Sequence, residues 1–435
     1  MSNEVSGIGK TLHNPPLKNV DPLKPASTVP VTSSTSLSQT TNEISYPLYP
    51  GAVLHVEPSN FWLQRLGRSN ESPIANVLKE KIKKEILLDK NALDFPDRLI
   101  ETWQKYGFAV VQDNGFDSQS IQETYKLMRD FFARDISYKS QLGSVGPNNN
   151  DGYIPPDTEI SVSAISGSET RAQANVFEMV HRTADGKSKN IEDDLGRDFQ
   201  KLTDILVTIL YGQAKDLAKV MASGLRNKGF LTPEGKELSD DYFVKLMQVE
   251  PNEVNDLNLM RLTHCKAFAL EEGNTFGCTL AHTDLNFVSI LPTATKAGLQ
   301  IWYEDSEHPE NNGWVQLDAP KNAFVVNLAD QADILTRGYL KSTPHKVISP
   351  IGQDRYSIIF FAGFNRNVDL LEAKLFHPIY TGSSRFELES VPRIKDQKLT
   401  AKSFTDLRRT DIGILPEDEA LFVPMRQLEY MKKSN

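Results

Sequence analysis

The apolar positions of this chain follow two different periods, and the change between them comes near Asn255. Before it, helical spacing prevails. Residues 74–88 carry their charges along one face of a predicted helix, with KEKIKKEILL at its centre. Phe95-Pro96-Asp97 opens a second helix over 97–106, with Asp97 near its positive end and Gly107 as its stop. FAVVQ, residues 108–112, reads as a short buried strand. Ile121, Tyr125, Met128, Phe131 and Phe132 put one apolar face on a third helix over 119–133. Phe199, Leu202, Leu206, Ile209, Leu210 and Leu217 form a longer stripe, which predicts a helix over 191–222 long enough to serve as a backbone for the domain. Residues 140–170, rich in Gly, Asn, Pro and Ser, are expected to form an irregular loop beside a binding site.

After Asn255 the pattern changes to short apolar runs separated by turn residues. They cover 259–268, 278–281, 287–291, 299–303, 314–317, 323–328, 345–348 and 356–361, and eight such runs at close spacing predict a sandwich or jelly roll. The fold class expected is mainly β with flanking helices. Four segments follow from the pattern: a tail over 1–45, a helical N-terminal region with an edge strand over 46–255, a β core over 256–368, and a helical extension over 369–435 that ends in an amphipathic stretch at 419–432. The tail is rich in Pro, Ser and Thr and holds too few bulky apolar residues to offset the entropy of ordering, so it is expected to be disordered. No internal repeat is visible.

Composition narrows the function classes. Of 435 residues, 39% are hydrophobic and 24% charged, as in a soluble globular chain. A net charge of -9 argues against a nucleic-acid partner, which would need a basic stripe. The first twenty residues lack the apolar core of a secretory signal, and no Arg precedes Arg65. No apolar run reaches the roughly 18 residues of a membrane span. A cytoplasmic protein that meets neither nucleic acid nor membrane is the expectation, with its oligomeric state open. Cys265 and Cys278 are the only cysteines, which argues against a disulfide framework and fits a reducing compartment. Both read as small buried apolar residues.

The candidate chemistry lies in His282-Thr283-Asp284, His345 and Arg355-Tyr356-Ser357. Two histidines and a carboxylate are the set that holds non-haem Fe(II) by one face and leaves the other open. With 57 acidic residues and 8 His, a carboxylate two places after a His is expected about once by chance, so the pair alone says little. Its context says more. His282 and Asp284 stand at a predicted strand end, where a period of two points both the same way. His345 opens a later strand, and Arg355 opens the next, where its planar fork could clamp a carboxylate.

These residues sit in AHTDLNFVSIL, AGLQIWY, WVQLDAPKNAFVVNLADQADILTRG, STPHKVISP and DRYSIIFF, a series that resembles the isopenicillin-N-synthase-like 2-oxoglutarate- and Fe(II)-dependent oxygenases. FPDRLIETWQKYGFAVVQDNG, RDFFARD and DGYIPP carry the resemblance more faintly, and it extends from about Phe95 to Phe364. It implies a double-stranded β-helix (jelly-roll) core. It implies His282, Asp284 and His345 as the iron ligands, with no catalytic side chain beyond the metal centre. Arg355 would pair with the distal carboxylate of 2-oxoglutarate, assisted by the Ser357 hydroxyl. Fe(II), 2-oxoglutarate and O2 would then oxidise a small organic molecule, most simply by hydroxylation, with release of succinate and CO2. Substrate contacts are expected from residues 140–157 and the C-terminal extension.

The chain also departs from that pattern. Where the family usually carries Asn-x-Tyr after an arginine, this chain reads Arg261-Leu262-Thr263-His264-Cys265, so Thr263 and Cys265 stand at the Asn and Tyr places. Thr263 and His264 become further candidates for co-substrate contact, although a core role is the commoner one for a histidine so placed. Lys346 and Ala329 replace a usual Arg and Gly. Two rivals stay open on this basis. One is an iron and O2 oxidase of the same fold that does not use 2-oxoglutarate, favoured by Thr263 and Cys265. The other is a non-catalytic ligand-binding protein, favoured by the tail and the extension. His308 reads as a solvated turn residue, and His13, His55, His181 and His377 have no partner pattern. Phe287, Phe361 and Phe364 read as core, with a pocket wall as the alternative.

Overall fold

The computed structural model describes residues 53–56, 76–112, 118–142, 152–156, 159–162, 169–171, 174–182, 193–249, 254–267, 277–317, 319–348, 352–384 and 398–411. The expected disordered tail and the amphipathic stretch at 419–432 lie outside the described residues.

The helices are α1 (Asn76–Ile86), α2 (Phe95–Tyr106), α3 (Ser118–Phe132), α4 (Ile136–Ser140), α5 (Asp194–Asn227), α6 (Tyr242–Met247), α7 (Asp330–Leu335) and α8 (Ala401–Asp411). Two of their ends show ordinary capping chemistry. Asp193 opens α5 by accepting from the Gly196 N–H at 2.8 Å. Gly107 closes α2 in the left-handed conformation, φ 68°, with its N–H on the Trp103 carbonyl at 2.8 Å. No other residue fits there, because a Cβ would collide with the Thr343 side chain. The apolar stripes of α3 and α5 meet each other, and Phe131 stacks on Phe199 at 4.5 Å.

The strands are β1 (Val53–Val56), β2 (Leu87–Asp89), β3 (Phe108–Gln112), β4 (Gly152–Ile154), β5 (Glu159–Val162), β6 (Glu169–Arg171), β7 (Ala174–Arg182), β8 (Val254–Cys265), β9 (Gly277–His282) and β10 (Val288–Pro292). They continue with β11 (Leu299–Tyr303), β12 (Gly313–Gln316), β13 (Ala323–Leu328), β14 (His345–Ile348) and β15 (Arg355–Ala362). An eight-stranded sheet has the order β2-β3-β13-β10-β15-β8-β7-β4, and a four-stranded sheet the order β12-β11-β14-β9. A small third sheet joins β1, β5 and β6. Successive core strands distribute between the two larger sheets: β8, β10, β13 and β15 in one, β9, β11, β12 and β14 in the other. That is the jelly-roll arrangement, and each of the eight runs expected after Asn255 forms one of its strands.

Alternation along β8 and β15 then separates two faces. Leu262, Met260, Ile358 and Phe360 pack into the main apolar core with α3 and α5. Thr263, Cys265, Arg355 and Ser357 point the other way, because Arg355 pairs with Cys265 and Ser357 with Thr263.

The structure differs from the sequence reading in three places. The region expected as one irregular loop holds β4, β5 and β6, and β7 follows it directly. β7 pairs along β8 from Ala174 to Arg182, so the N-terminal region contributes several strands to the large sheet and not an edge strand alone. Asn175 and Glu178 hid this strand by interrupting its apolar run. Each is buried with a partner: Asn175 accepts from the Tyr153 hydroxyl at 2.7 Å, and Glu178 accepts from Arg261 Nε at 2.8 Å. β2 was hidden in the same way by the helical pattern of α1, which it follows without a break.

The third difference corrects the expectation of two reduced thiols. Cys265 and Cys278 form a disulfide, with Cα atoms 5.9 Å apart. Pairing, not sequence spacing, is the reason: the last residue of β8 and the second of β9 face each other from the two sheets, 13 positions apart in the chain. Both remain buried among Ile154, Ala174 and Val176, as the apolar reading required. Among the described residues no helix is long and apolar enough to cross a membrane.

Closing a loop of this length stabilises a fold by about 3 kcal/mol in the chain-entropy model. Cys278→Ser is therefore expected to lower the free energy of unfolding in urea by about that amount. Wild type in excess reductant should fall to the same value and the variant should not respond to reductant. Equal stability of wild type with and without reductant would mean that the bridge does not form in solution.

Candidate metal centre and co-substrate pocket

β9 ends at His282 and β14 begins at His345, and these two residues are Cα partners across the antiparallel pair. Their rings lie 4.3 Å apart between centroids. The turn after β9 brings Asp284 beneath them. Asp284 Oδ1 lies 3.5 Å from His282 Nε2 and 3.6 Å from His345 Nε2. One ligand atom from each of the three falls within 4.8 Å of the others, and no other such group exists among the described residues.

Two of the three side chains are seen fixed from behind. Asp284 Oδ2 accepts from Ser289 Oγ and from Asn327 Nδ2, both at 2.6 Å. This leaves Oδ1 to the imidazoles. Burial works to raise the Asp284 carboxyl, but His345, His282 and the Ser289 hydroxyl outweigh it and hold the group below the ordinary carboxylate range. His345 Nδ1 lies 3.3 Å from the Thr343 carbonyl, so an Nδ1–H donated there leaves the Nε2 lone pair facing Asp284. Phe108 packs edge-on against the same ring at 5.4 Å. Burial pulls His345 down to about 4, against the opposing pull of Asp284, and keeps the imidazole neutral at ordinary pH. His282 is the open side, with a quarter of its side chain exposed. An ionised carboxylate and two imidazoles, with Asp284 and His345 each held by a second partner, fit a divalent transition metal.

Arg355 lies on the inner face of the large sheet, at the far end of β15 from the level of Ser289. Its Nε donates to the Lys296 carbonyl at 3.1 Å and its Nη1 to Ser357 Oγ at 2.8 Å. Gly298 makes room for it, since a Cβ there would sit 3.4 Å from Arg355 Nε and 2.8 Å from the Ile348 carbonyl. Burial lowers the guanidinium to about 10, which leaves it cationic at neutral pH. Among the described residues no carboxylate pairs with it. Thr263, opposite Ser357, is buried with a hydroxyl that has no partner. The inner face thus holds a buried cation and an unanswered hydroxyl side by side.

The structure does not bring His264 to this group. It sits on the opposite face of β8, where its ring stacks on Tyr356 at 4.6 Å, its Nε2 meets Asp354 at 2.8 Å and its Nδ1 lies 3.3 Å from Asn175 Nδ2. The period of two decides the matter: Thr263 and Cys265 face inward, so the residue between them faces out. Phe287 and Phe364 are fully buried in the main core, whereas Phe361 shares the inner face with Ser289. His308 is exposed beside Glu310.

Sequence reasoning missed the residues that orient Asp284. Asn327 had a visible signal, since it is the one polar residue in the apolar run AFVVNL. Ser289 had none beyond its place in a predicted strand. The Arg261–Glu178 ion pair, 2.7 Å at its shortest, also lies on the inner face, one period along β8 from Thr263.

Comparison with known proteins agrees with this geometry. Residues 260–363 match the model of the 2OG-Fe(II) oxygenase superfamily, and residues 84–193 match the N-terminal model of the non-haem dioxygenases in morphine synthesis. Azadirone synthase of Melia azedarach is 27% identical over 256 residues, covering 58% of this chain and 72% of that protein. The 2-oxoglutarate-dependent dioxygenase tropC of Talaromyces stipitatus is 23% identical over 282 residues, covering 61% of this chain and 78% of that protein. A full-length Neurospora crassa protein solved in complex with alpha-KG superposes with a TM-score of 0.57 at 18% identity, covering 74% of this chain and 95% of that one. A 2OG-Fe(II) oxygenase family protein from Caulobacter crescentus gives 0.56 at 21% identity, with 75% and 98% covered. The chain belongs to the 2OG-Fe(II) oxygenase superfamily and is an Fe(II)- and 2-oxoglutarate-dependent oxygenase.

Proposed function

We propose that this oxygenase hydroxylates a small organic molecule, with His282, Asp284 and His345 holding the ferrous ion and Arg355, Ser357 and Thr263 binding 2-oxoglutarate. The observation that carries the reading is the buried Arg355 guanidinium, which lies on the inner face of the large sheet without a carboxylate partner of its own among the described residues. Such a cation is costly to bury unless an anion completes it. When bound, the metal supplies O2 activation coupled to the loss of CO2 from the 2-oxo acid, with succinate as the other product.

The chain's own groups bind and orient. Ser289 and Asn327 hold the Asp284 carboxylate so that one oxygen is presented to the metal. Thr343 fixes the His345 tautomer. Arg355 and Ser357 together offer a charged fork and a hydroxyl to the distal carboxylate, at hydrogen-bonding distance from each other. The Thr263 hydroxyl supplies a third donor beside them, in the place where an Asn stands in the usual family pattern. The apolar wall of Ile154, Ala174 and Val176 with the disulfide excludes water from that end.

The substrate side is supported as small and organic by the relatives, and the inner-face Arg261–Glu178 pair with Phe361 gives it one polar and one aromatic contact. Action in the cytoplasm stays part of the proposal, and the Cys265–Cys278 bridge, uncommon in a reducing compartment, is the observation that stands against it.

The test is an anaerobic titration of the Fe(II)-loaded protein with 2-oxoglutarate, read by the visible metal-to-ligand charge-transfer band. A saturable band is expected. Arg355→Ala should weaken it by about 30-fold or more, as losing one partner of a buried charge pair costs 2–5 kcal/mol, and His345→Ala should abolish it. An iron-loaded wild type without a band would sink the co-substrate reading and leave the oxidase.

Thr263→Val gives an independent check. It removes a buried hydroxyl that has no partner in the free protein, so stability should hold or rise, while 2-oxoglutarate affinity should fall by about 1 kcal/mol, roughly five-fold. Unchanged affinity would take Thr263 out of the co-substrate site.

A further inference from the structure

Resting on the reading of His282, Asp284 and His345 as metal ligands, we infer that Arg408, from the C-terminal helix α8, is a positioning residue for the metal centre. It acts through the buried carboxylate of Asp330.

Asp330 is fully buried at the start of α7. It touches both halves of the ligand set. On one side its Oδ2 accepts from Thr283 Oγ1 at 3.4 Å, and its backbone N–H donates to the Asp284 carbonyl at 2.9 Å. These contacts hold the turn that carries His282 and Asp284. On the other side its Oδ1 accepts from Ser342 Oγ at 2.7 Å. Ser342 lies in the segment that runs into His345, and its own N–H donates to Asp333 Oδ2 at 3.3 Å. One carboxylate therefore sets the distance between two ligand-bearing segments that are far apart in the chain.

Arg408 supplies the charge that this arrangement needs. Its Nε donates to Asp330 Oδ2 at 3.2 Å, and both side chains are buried. It lies well outside residues 260–363, the stretch matched by the superfamily model. Adhesion of the helix is a separate matter. Ala401, Phe404 and Leu407 bury the apolar face of α8 in the main core, and the Ala401 N–H donates to the Val368 carbonyl at 2.8 Å. A buried ion pair adds little stability over an apolar pair of the same shape, whereas removing one member strands the other. Without Arg408, Asp330 is expected to turn from Thr283 and Ser342 toward water, and the two ligand segments lose their common anchor.

The experiment measures Co(II) affinity of the full-length protein by its visible d–d absorption, in place of turnover. Arg408→Met should weaken Co(II) binding by about ten-fold or more, the usual cost of losing an outer partner of a metal site. Arg408→Lys should recover most of the loss. Leu407→Ala, which removes an apolar anchor of the same helix, should lower the melting temperature and leave Co(II) affinity within about two-fold. If Arg408→Met does not fold, Ser342→Ala decides, because it cuts one arm of the anchor without stranding a charge. A loss of less than about three-fold in the deciding variant overturns the inference and reduces Arg408 to helix docking. Failure of the wild type to bind Co(II) at all would overturn the metal-site reading itself, a result distinct from equal binding by wild type and variant.

Discussion

The site depends on the register of one strand. His282 and His345 are separated by most of the jelly roll in sequence, and they meet because β14 lies beside β9 with those two residues opposite. A slip of one residue would turn the His345 ring to the outer face, where Lys346 now lies over the Trp314 ring. The pairing with β9 does not fix this register, because it is irregular immediately beyond His345. β11 does. Leu299, Gln300 and Ile301 pair without a break with Val347, Lys346 and His345. The close approach of Gly107 to Thr343 and the hydrogen bond from the Trp302 N–H to the Pro344 carbonyl then fix where β14 begins. A helix-capping glycine and the inner strand β11 of the four-stranded sheet thus hold His345 in place.

Buried charge is the second constraint. Asp284, Glu178, Arg261, Asp330, Arg408 and Arg355 are all wholly or largely withdrawn from water. Four of them are balanced within the chain, Glu178 by Arg261 and Asp330 by Arg408. Two are not: Asp284 faces imidazoles of which the buried His345 is neutral, and Arg355 is answered by a carbonyl and a hydroxyl. In a medium of low dielectric the imbalance at Arg355 is a strong bias toward an anionic ligand of fixed position. Function follows here from a charge that folding leaves unpaired.

Much of this was legible in the sequence, for a definable reason. The eight core strands announced themselves because a jelly roll buries one face of each strand, and turn residues separate the runs. The triad and Arg355 were legible because a strand end and a period of two fix where side chains point. β7 was not, since Asn175 and Glu178 are polar residues buried on a strand, and only their partners Tyr153 and Arg261, distant in sequence, make that burial possible. The disulfide was not, because the meeting of Cys265 and Cys278 depends on how two sheets face each other and on no local spacing. His264 stood behind a core role as a lesser candidate for co-substrate contact, and the structure gives it the core role, because neighbours along a strand point to opposite sides.

The altered co-substrate wall has a physical logic of its own. At the position opposite Arg355, where relatives of the usual pattern carry an aromatic hydroxyl, this chain has half of a disulfide. A hydroxyl there would donate to a bound carboxylate, and a sulfur cannot replace it. What the bridge offers instead is rigidity: it ties β8, which carries Thr263, to β9, which carries His282, at the closed end of the cavity. The donors proposed for 2-oxoglutarate, Arg355, Ser357 and the otherwise unpaired Thr263, stand on two adjacent strands in one register. Fewer donors held more rigidly lose less conformational entropy on binding than a longer side chain would. Under the proposed reading the departure from the family pattern is a redistribution, in which a covalent link between the two sheets stands where a hydrogen-bonding side chain would.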